Sequence, residues 1–230
     1  MRSKLVASCV LLVVVASIAA PSLASAANTP LLVENGSAVA VGTKFQAGNV
    51  GRLGFTTSLG TMECTLSEWT GEVTKNSTGT VEGKITSARV GGTGALLNGA
   101  PAPECTTQAI FGGDTTVTMN PAISGLPWCL RSTSAMALDE FQVRGDSCAS
   151  VARGIRFTLD ITNIGTCEYE RTAAMSGTFS TSTTASTFSL SEVAFTKVST
   201  ESFLCPASGK LDLTFQLLTD GTSTTLGVTS

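Results

Sequence analysis

Ile155-Arg156-Phe157-Thr158-Leu159-Asp160-Ile161-Thr162 is the stretch on which the fold turns. Its apolar residues, Ile155, Phe157, Leu159 and Ile161, alternate with Arg156, Thr158, Asp160 and Thr162. A period of two sends one set to a buried face and the other to a wet one, which is a β-strand and not a helix. Leu211-Asp212-Leu213-Thr214-Phe215-Gln216-Leu217 repeats the pattern. Shorter alternations occur at Met62-Cys64-Leu66, Val81–Ile85, Val117-Met119 and Phe188-Leu190. Between them fall turn residues: Asn35-Gly36, Lys75–Gly79, Gly91-Gly92, Asn98-Gly99, Gly112-Gly113-Asp114 and Asp220-Gly221. Ala135–Phe141 is the one stretch that reads as a short helical turn. Short strands with regular turn signals predict an all-β protein, an antiparallel β-sandwich or barrel.

Outward toward the N-terminus, the pattern changes. Arg2 and Lys4 precede an apolar run, Leu5–Ala20, broken only by Ser8, Cys9 and Ser17. Pro21 and Ser22 end it, and Ala24-Ser25-Ala26 supplies small residues for a peptidase. This order predicts a secretory signal peptide over 1–26, cleaved after Ala26. The apolar run is shorter than the roughly 20 residues a membrane span needs. Val6-Ala7-Ser8-Cys9 resembles a lipoprotein box but lies ahead of the apolar run instead of behind it. Residues 27–230 are then the exported β domain, ending in a Thr/Ser/Gly tail over 219–230 with no hydrophobic anchor.

The cysteines agree with export. Of seven, Cys9 lies in the leader; Cys64, Cys105, Cys129, Cys148, Cys167 and Cys205 remain, an even set that suits disulfides in an oxidising compartment. Nearest neighbours in sequence are the favoured pairing: Cys64–Cys105, Cys129–Cys148 and Cys167–Cys205. Each of the two longer loops would stabilise by about 3–4 kcal/mol in the chain-entropy account. A zinc site is disfavoured, because the chain has no C-x-x-C and no His.

Net charge is −3 and charged residues make up 13% of the chain, so no basic patch invites nucleic acid or anionic lipid. Hydrophobic residues at 42% argue against disorder. Abundant Thr suits exposed strand positions. A loose echo runs through the chain. Phe55, Gly60-Thr61, Cys64, Gly71 and Cys105 are matched by Phe157, Gly165-Thr166-Cys167, Gly177 and Cys205-Pro206. It suggests two pseudo-repeated halves, 30–128 and 129–218, against coincidence in a Gly/Thr-rich chain. The halves could also share one sheet system.

The leader, a Cys-bearing strand followed by Gly and another strand, the Leu126-Pro127-Trp128 step, and Cys205-Pro206 before a final alternating strand resemble uncharacterised secreted β-rich proteins of high-GC actinobacteria. The resemblance covers most of the mature chain and implies no particular activity.

Missing His removes Ser-His-Asp and Cys-His catalysis and the usual neutral-pH base. No nucleophile elbow, P-loop or dinucleotide fingerprint is present. Two catalytic routes survive. One is a carboxylate pair drawn from Asp139-Glu140, Asp146, Asp160, Glu168 and Glu170; the other is a Ser-Lys dyad that nothing singles out. Arg144-Gly145-Asp146 spells an integrin tripeptide within the Cys129–Cys148 loop, and Asn35-Gly36-Ser37 and Asn76-Ser77-Thr78 are glycosylation sequons. Trp69, Tyr169 and Phe179 are candidate sugar-stacking aromatics, with core packing the favoured role. Trp128 is expected to pack against the neighbouring half-cystine, and the Pro-rich loop Asn98–Pro103 to be tethered through Cys105. The expectation is a non-enzymatic extracellular or cell-envelope β module without catalytic, cofactor or metal residues, partnered by an envelope glycan or protein. A secreted hydrolase using a carboxylate pair is the alternative; an inhibitor or toxin-like effector has no feature in its favour.

Overall fold

The computed structural model describes residues 28–91, 105–107, 115–124, 126–145, 148, 154–161, 165–200 and 204–230. They form β1 (Leu31–Glu34), β2 (Ser37–Ala38), β3 (Lys44–Asn49), β4 (Leu53–Thr57), β5 (Gly60–Cys64), β6 (Leu66–Ser77), β7 (Thr80–Gly91), β8 (Cys105–Thr107) and β9 (Thr115–Ser124). Then follow β10 (Trp128–Thr133), β11 (Glu140–Arg144), β12 (Ile155–Ile161), β13 (Gly165–Arg171), β14 (Met175–Phe179), β15 (Thr187–Thr200), β16 (Ser208–Thr219) and β17 (Gly227–Thr229). The all-β expectation holds, and the architecture is a barrel: an eight-strand antiparallel barrel with extra strands.

The barrel runs β10-β11-β14-β15-β16-β3-β6-β7 and closes through the β7–β10 pairing. The extra strands make a second closed circuit, β15-β13-β12-β9-β8-β5-β4-β16, on the same β15–β16 hairpin. Closure removes sheet edges that would otherwise recruit other chains. The two long hairpin strands serve both circuits by dividing their length. In β16, Phe215–Thr219 lie beside β3 while Gly209–Asp212 lie beside β4. In β15, Phe188 and Ser189 lie beside β14 while Thr196–Thr200 face β13. The change of partner coincides with a bulge between Leu190 and Val193. There Glu192 takes a left-handed conformation (φ 50), and its N–H donates to Asp212 Oδ1 at 2.8 Å. A bulge bends its strand and strengthens its twist, which is what a strand leaving one circuit for another requires.

Each circuit has its own aromatic filling. In the barrel, Phe215 touches Trp69, Phe141 and Phe188 at centroid distances of 5.2, 5.8 and 5.2 Å, and Trp69 meets Trp128 edge-on at 5.6 Å. In the second circuit, Phe55 touches Phe157, Tyr169 and Phe195 at 5.1, 5.2 and 6.3 Å. Glycine makes room where these rings meet backbone. A Cβ at Gly209 would stand 2.2 Å from the Phe55 ring, and one at Gly177 would stand 2.7 Å from Phe141.

A small sheet, β17-β1-β2, caps the barrel with Leu32, Val33, Leu226 and Val228 buried. Its β1–β2 hairpin turns on Asn35 (φ 50) and Gly36 (φ 79), the two positive values of a type I′ turn. Asn76 ties the cap down: its Nδ2 donates to Leu32 O and Val39 O, and its Oδ1 accepts from Leu32 N. The 219–230 segment, read from composition as a tail, is thus part of the fold. Leu226 N donates to Leu217 O, Ser182 N donates to Val228 O, and Gly227–Thr229 pair with β1.

One other expectation changes. Ala135–Phe141 is not helical: it holds two tight turns, Asp139 takes φ 59, and Phe141 already lies in β11. Asp tolerates that left-handed conformation, which a helix excludes. The suggested halves 30–128 and 129–218 share one sheet system, one of the two arrangements the sequence left open, because β3 and β4 both pair with β16 and β7 pairs with β10. The echo itself has a structural counterpart in two hairpins, β4–β5 and β12–β13, each re-entering at a positive-φ glycine, Gly60 or Gly165. Their phenylalanines, Phe55 and Phe157, pack edge to face. The turn expectations at Gly91-Gly92, Asn98-Gly99 and Gly112-Gly113-Asp114, and the loop Asn98–Pro103, lie wholly or partly outside the described residues.

Candidate functional site

The favoured pairing is the one present: Cys64–Cys105, Cys129–Cys148 and Cys167–Cys205, with Cα separations of 4.4, 5.0 and 5.6 Å. The first joins β5 to β8, and the third ties β13 to the segment entering β16. Near the third, Tyr169 is fully buried and its hydroxyl donates to Pro206 O at 3.1 Å. Burial pushes the Tyr169 phenol up to about 12. Three disulfides are consistent with an oxidising, non-cytoplasmic location. No helix among the described residues is long and apolar enough to cross a membrane.

Two small cavities lie among the described residues. A cavity of about 30 Å³ lies where the two circuits meet, lined by Trp69, Trp128 and Met175 on one side and Leu53, Phe157 and Phe195 on the other. Another, of about 20 Å³, lies under the cap between Leu32, Phe141, Phe179 and Val228. Ligand pockets run to several hundred Å³. These are packing gaps.

Of the described candidate carboxylates, Glu168 and Glu170 come together on one guanidinium, while Asp139 and Glu140 sit in a separate turn. Glu168 and Glu170 share one face of β13, and both reach Arg156 across the β12–β13 pair, at 3.6 and 3.1 Å. The Glu170 hydrogen bond, joined by the charges of Glu170 and Glu168, raises the Arg156 pKa above its ordinary value against a smaller desolvation effect. One guanidinium thus engages both carboxylates across the strand pair. Glu140 accepts from Ala137 N at 3.1 Å and from Gln142 Nε2 at 3.4 Å, bracing its own turn. Asp139 belongs to the same turn, and Phe179 N donates to its carbonyl. Asp146 and the side chain of Asp160 lie outside the described residues.

The other surface candidates are likewise placed. Trp69, Tyr169 and Phe179 are all buried, so they fill the core and offer no stacking face. Trp128 is core as expected, but its ring lies on Trp69. Gly145 is buried and Arg144 half-buried at the end of β11; Asp146 of that tripeptide is not described. Asn35 is exposed at its turn, whereas both functions of the Asn76 amide are engaged under the cap.

One polar pair escaped the sequence reading. Gln46 and Glu68, on adjacent strands β3 and β6, are buried, with Gln46 Nε2 donating to Glu68 Oε1 at 3.4 Å. Beside them Asn49 accepts from Ser67 N at 2.8 Å and donates to Thr65 O at 3.0 Å, fixing the start of β6. Polar residues at alternating strand positions read as solvated, so no local signal marks this cluster. Comparison of the chain with protein-family models, with curated proteins and with solved structures finds no match.

Proposed function

We propose that the chain is exported by its 1–26 leader and that residues 27–230 act outside the cytoplasm as a non-enzymatic binding or structural module. The observation that carries this reading is the pair of aromatic fillings. Phe55 in one circuit and Phe215 in the other each touch three further rings, so the barrels are scaffolds whose work falls to the outer surface. The engaged state of Glu168, Glu170 and Glu140 supports the same side of the choice.

The partner is a cell-envelope glycan or an envelope protein. The test uses the oxidised protein purified from the medium of an exporting host. N-terminal sequencing should begin at Ala27, and the protein should sediment with isolated cell-wall glycan or with envelope protein. Turnover in a broad hydrolase screen, abolished by a single carboxylate or Ser substitution, would overturn the reading.

A further inference from the structure

We propose that Cys129–Cys148 is a thiol-exchange site, at which a low-molecular-weight thiolate adds to Cys148 and Cys129 departs as the leaving thiolate. Three observations lead there. The first is access. Cys64, Cys105, Cys129, Cys167 and Cys205 are buried at 5% exposure or less, whereas Cys148 is half-buried. Exchange requires a thiolate to reach one sulfur of the bond, so Cys148 is the point of entry.

The second observation is charge. On β10, Cys129 lies directly opposite Lys84 of β7 on one side and Arg144 of β11 on the other. Directly opposed residues share a face with Cβ atoms about 5 Å apart. Arg131 follows on the same face two residues along. Among the described residues, the carboxylates named by strand register stand one step further out. Glu82 is opposite Arg131, Glu72 is opposite Lys84 from β6, and Glu140 touches Gln142, itself opposite Arg131. Asp146 is not described. Cations beside a thiol lower its pKa, and a thiol of lower pKa leaves faster.

The third observation is tolerance. β10 is held to β7 from Trp128↔Ile85 through Thr133↔Thr80 and to β11 by three further pairs. The bond closes the shortest of the three loops, a separation of 19 against 41 and 38. Opening it leaves the barrel wall paired.

The step balances. The incoming thiolate forms a bond to Cys148 Sγ, the Sγ–Sγ bond breaks, and its electron pair stays on Cys129. A second thiolate then attacks the external sulfur of the mixed disulfide. The disulfide is reduced to two cysteines, and two external thiols are oxidised to one disulfide.

The test treats the intact oxidised chain with limiting glutathione, quenches with an alkylating agent and maps peptides. The expected result is glutathione on Cys148, the alkyl group on Cys129, and Cys64–Cys105 and Cys167–Cys205 intact with an unchanged β circular-dichroism signal. Earlier opening of either other disulfide, an adduct on Cys129, or opening only on global unfolding would overturn the proposal. Lys84→Glu should slow the exchange by about threefold or more. Lys84→Gln should slow it less but in the same direction, and it keeps the comparison readable if the Glu variant does not fold. An unchanged rate in the folded variant would refute the role given to the cations.

Discussion

Gly209→Ala probes the contact between strands that are far apart in sequence. Gly209 sits on β16 and Phe55 on β4, and the added methyl would stand 2.2, 2.5 and 2.9 Å from three atoms of the Phe55 ring. The ring has nowhere to retreat, since Phe157, Tyr169 and Phe195 press on its other sides. Forcing a methyl into such a site costs about 1–3 kcal/mol. Phe55→Leu alone removes ring volume and costs roughly 1–2 kcal/mol. The double variant relieves the clash with the space the first change opens, so its cost should fall short of the sum by about 1 kcal/mol or more. Denaturant melts with the disulfides intact, read at constant m-value, give the four free energies of the cycle. Gly209→Ala within about 0.5 kcal/mol of the parent, or a double variant that is simply additive, would refute the packing described for the second circuit.

Other outcomes follow from single contacts. The chain has one tyrosine, so an ultraviolet titration reads Tyr169 alone, and its midpoint should lie near 12. The unfolded phenol ionises near 10 and the folded one about two units higher, so stability should fall by about 2–3 kcal/mol as pH rises across that interval, and Tyr169→Phe should remove this loss in melts at each pH. Asn76→Ala should lower stability by about 2–3 kcal/mol, since the cap loses three hydrogen bonds, to Leu32 N, Val39 O and Leu32 O, of which Leu32 O alone keeps a second donor in Val39 N. In a glycosylating host, mass spectrometry should find sugar on Asn35 and none on Asn76 of the folded protein. Asp212→Ala should cost about 1 kcal/mol by freeing the Glu192 N–H, and hydrogen exchange at Glu192 should rise with it.

Legibility of the fold followed exposure of the strands. β16 has one face in the core and one toward solvent, and β12 keeps the same alternation of residue types although its Thr158 is buried, so the period of two is legible in both. In β3 it is not. Phe45 through Asn49 are all buried: Gln46 bonds to Glu68, and Asn49 to Thr65 and Ser67, so no alternation remains. β10 hides both faces for a different reason, with Trp128 and Leu130 in the core and Cys129 under its disulfide. The 219–230 segment is polar in composition, yet Leu226 and Val228 suffice to dock it once β1 supplies a partner strand. Disulfide pairing was legible because neighbouring cysteines sit on elements that the barrel brings together. The glycine seats under Phe55 and Phe141 were not, since each joins residues distant in the chain. For the site, the sequence marked out carboxylates but could not show that Arg156 holds two of them, nor that Lys84 and Arg144 flank Cys129.

Two closed circuits share one hairpin, β15–β16. Inter-strand nuclear Overhauser contacts in the labelled monomer test it most directly. The account predicts contacts for Leu130 with Gly83 of β7, for Thr106 of β8 with Thr116 of β9, and for Leu190 with Leu213, all in one molecule. Absence of either the first or the second set in the folded monomer would mean an open sheet and would contradict the account.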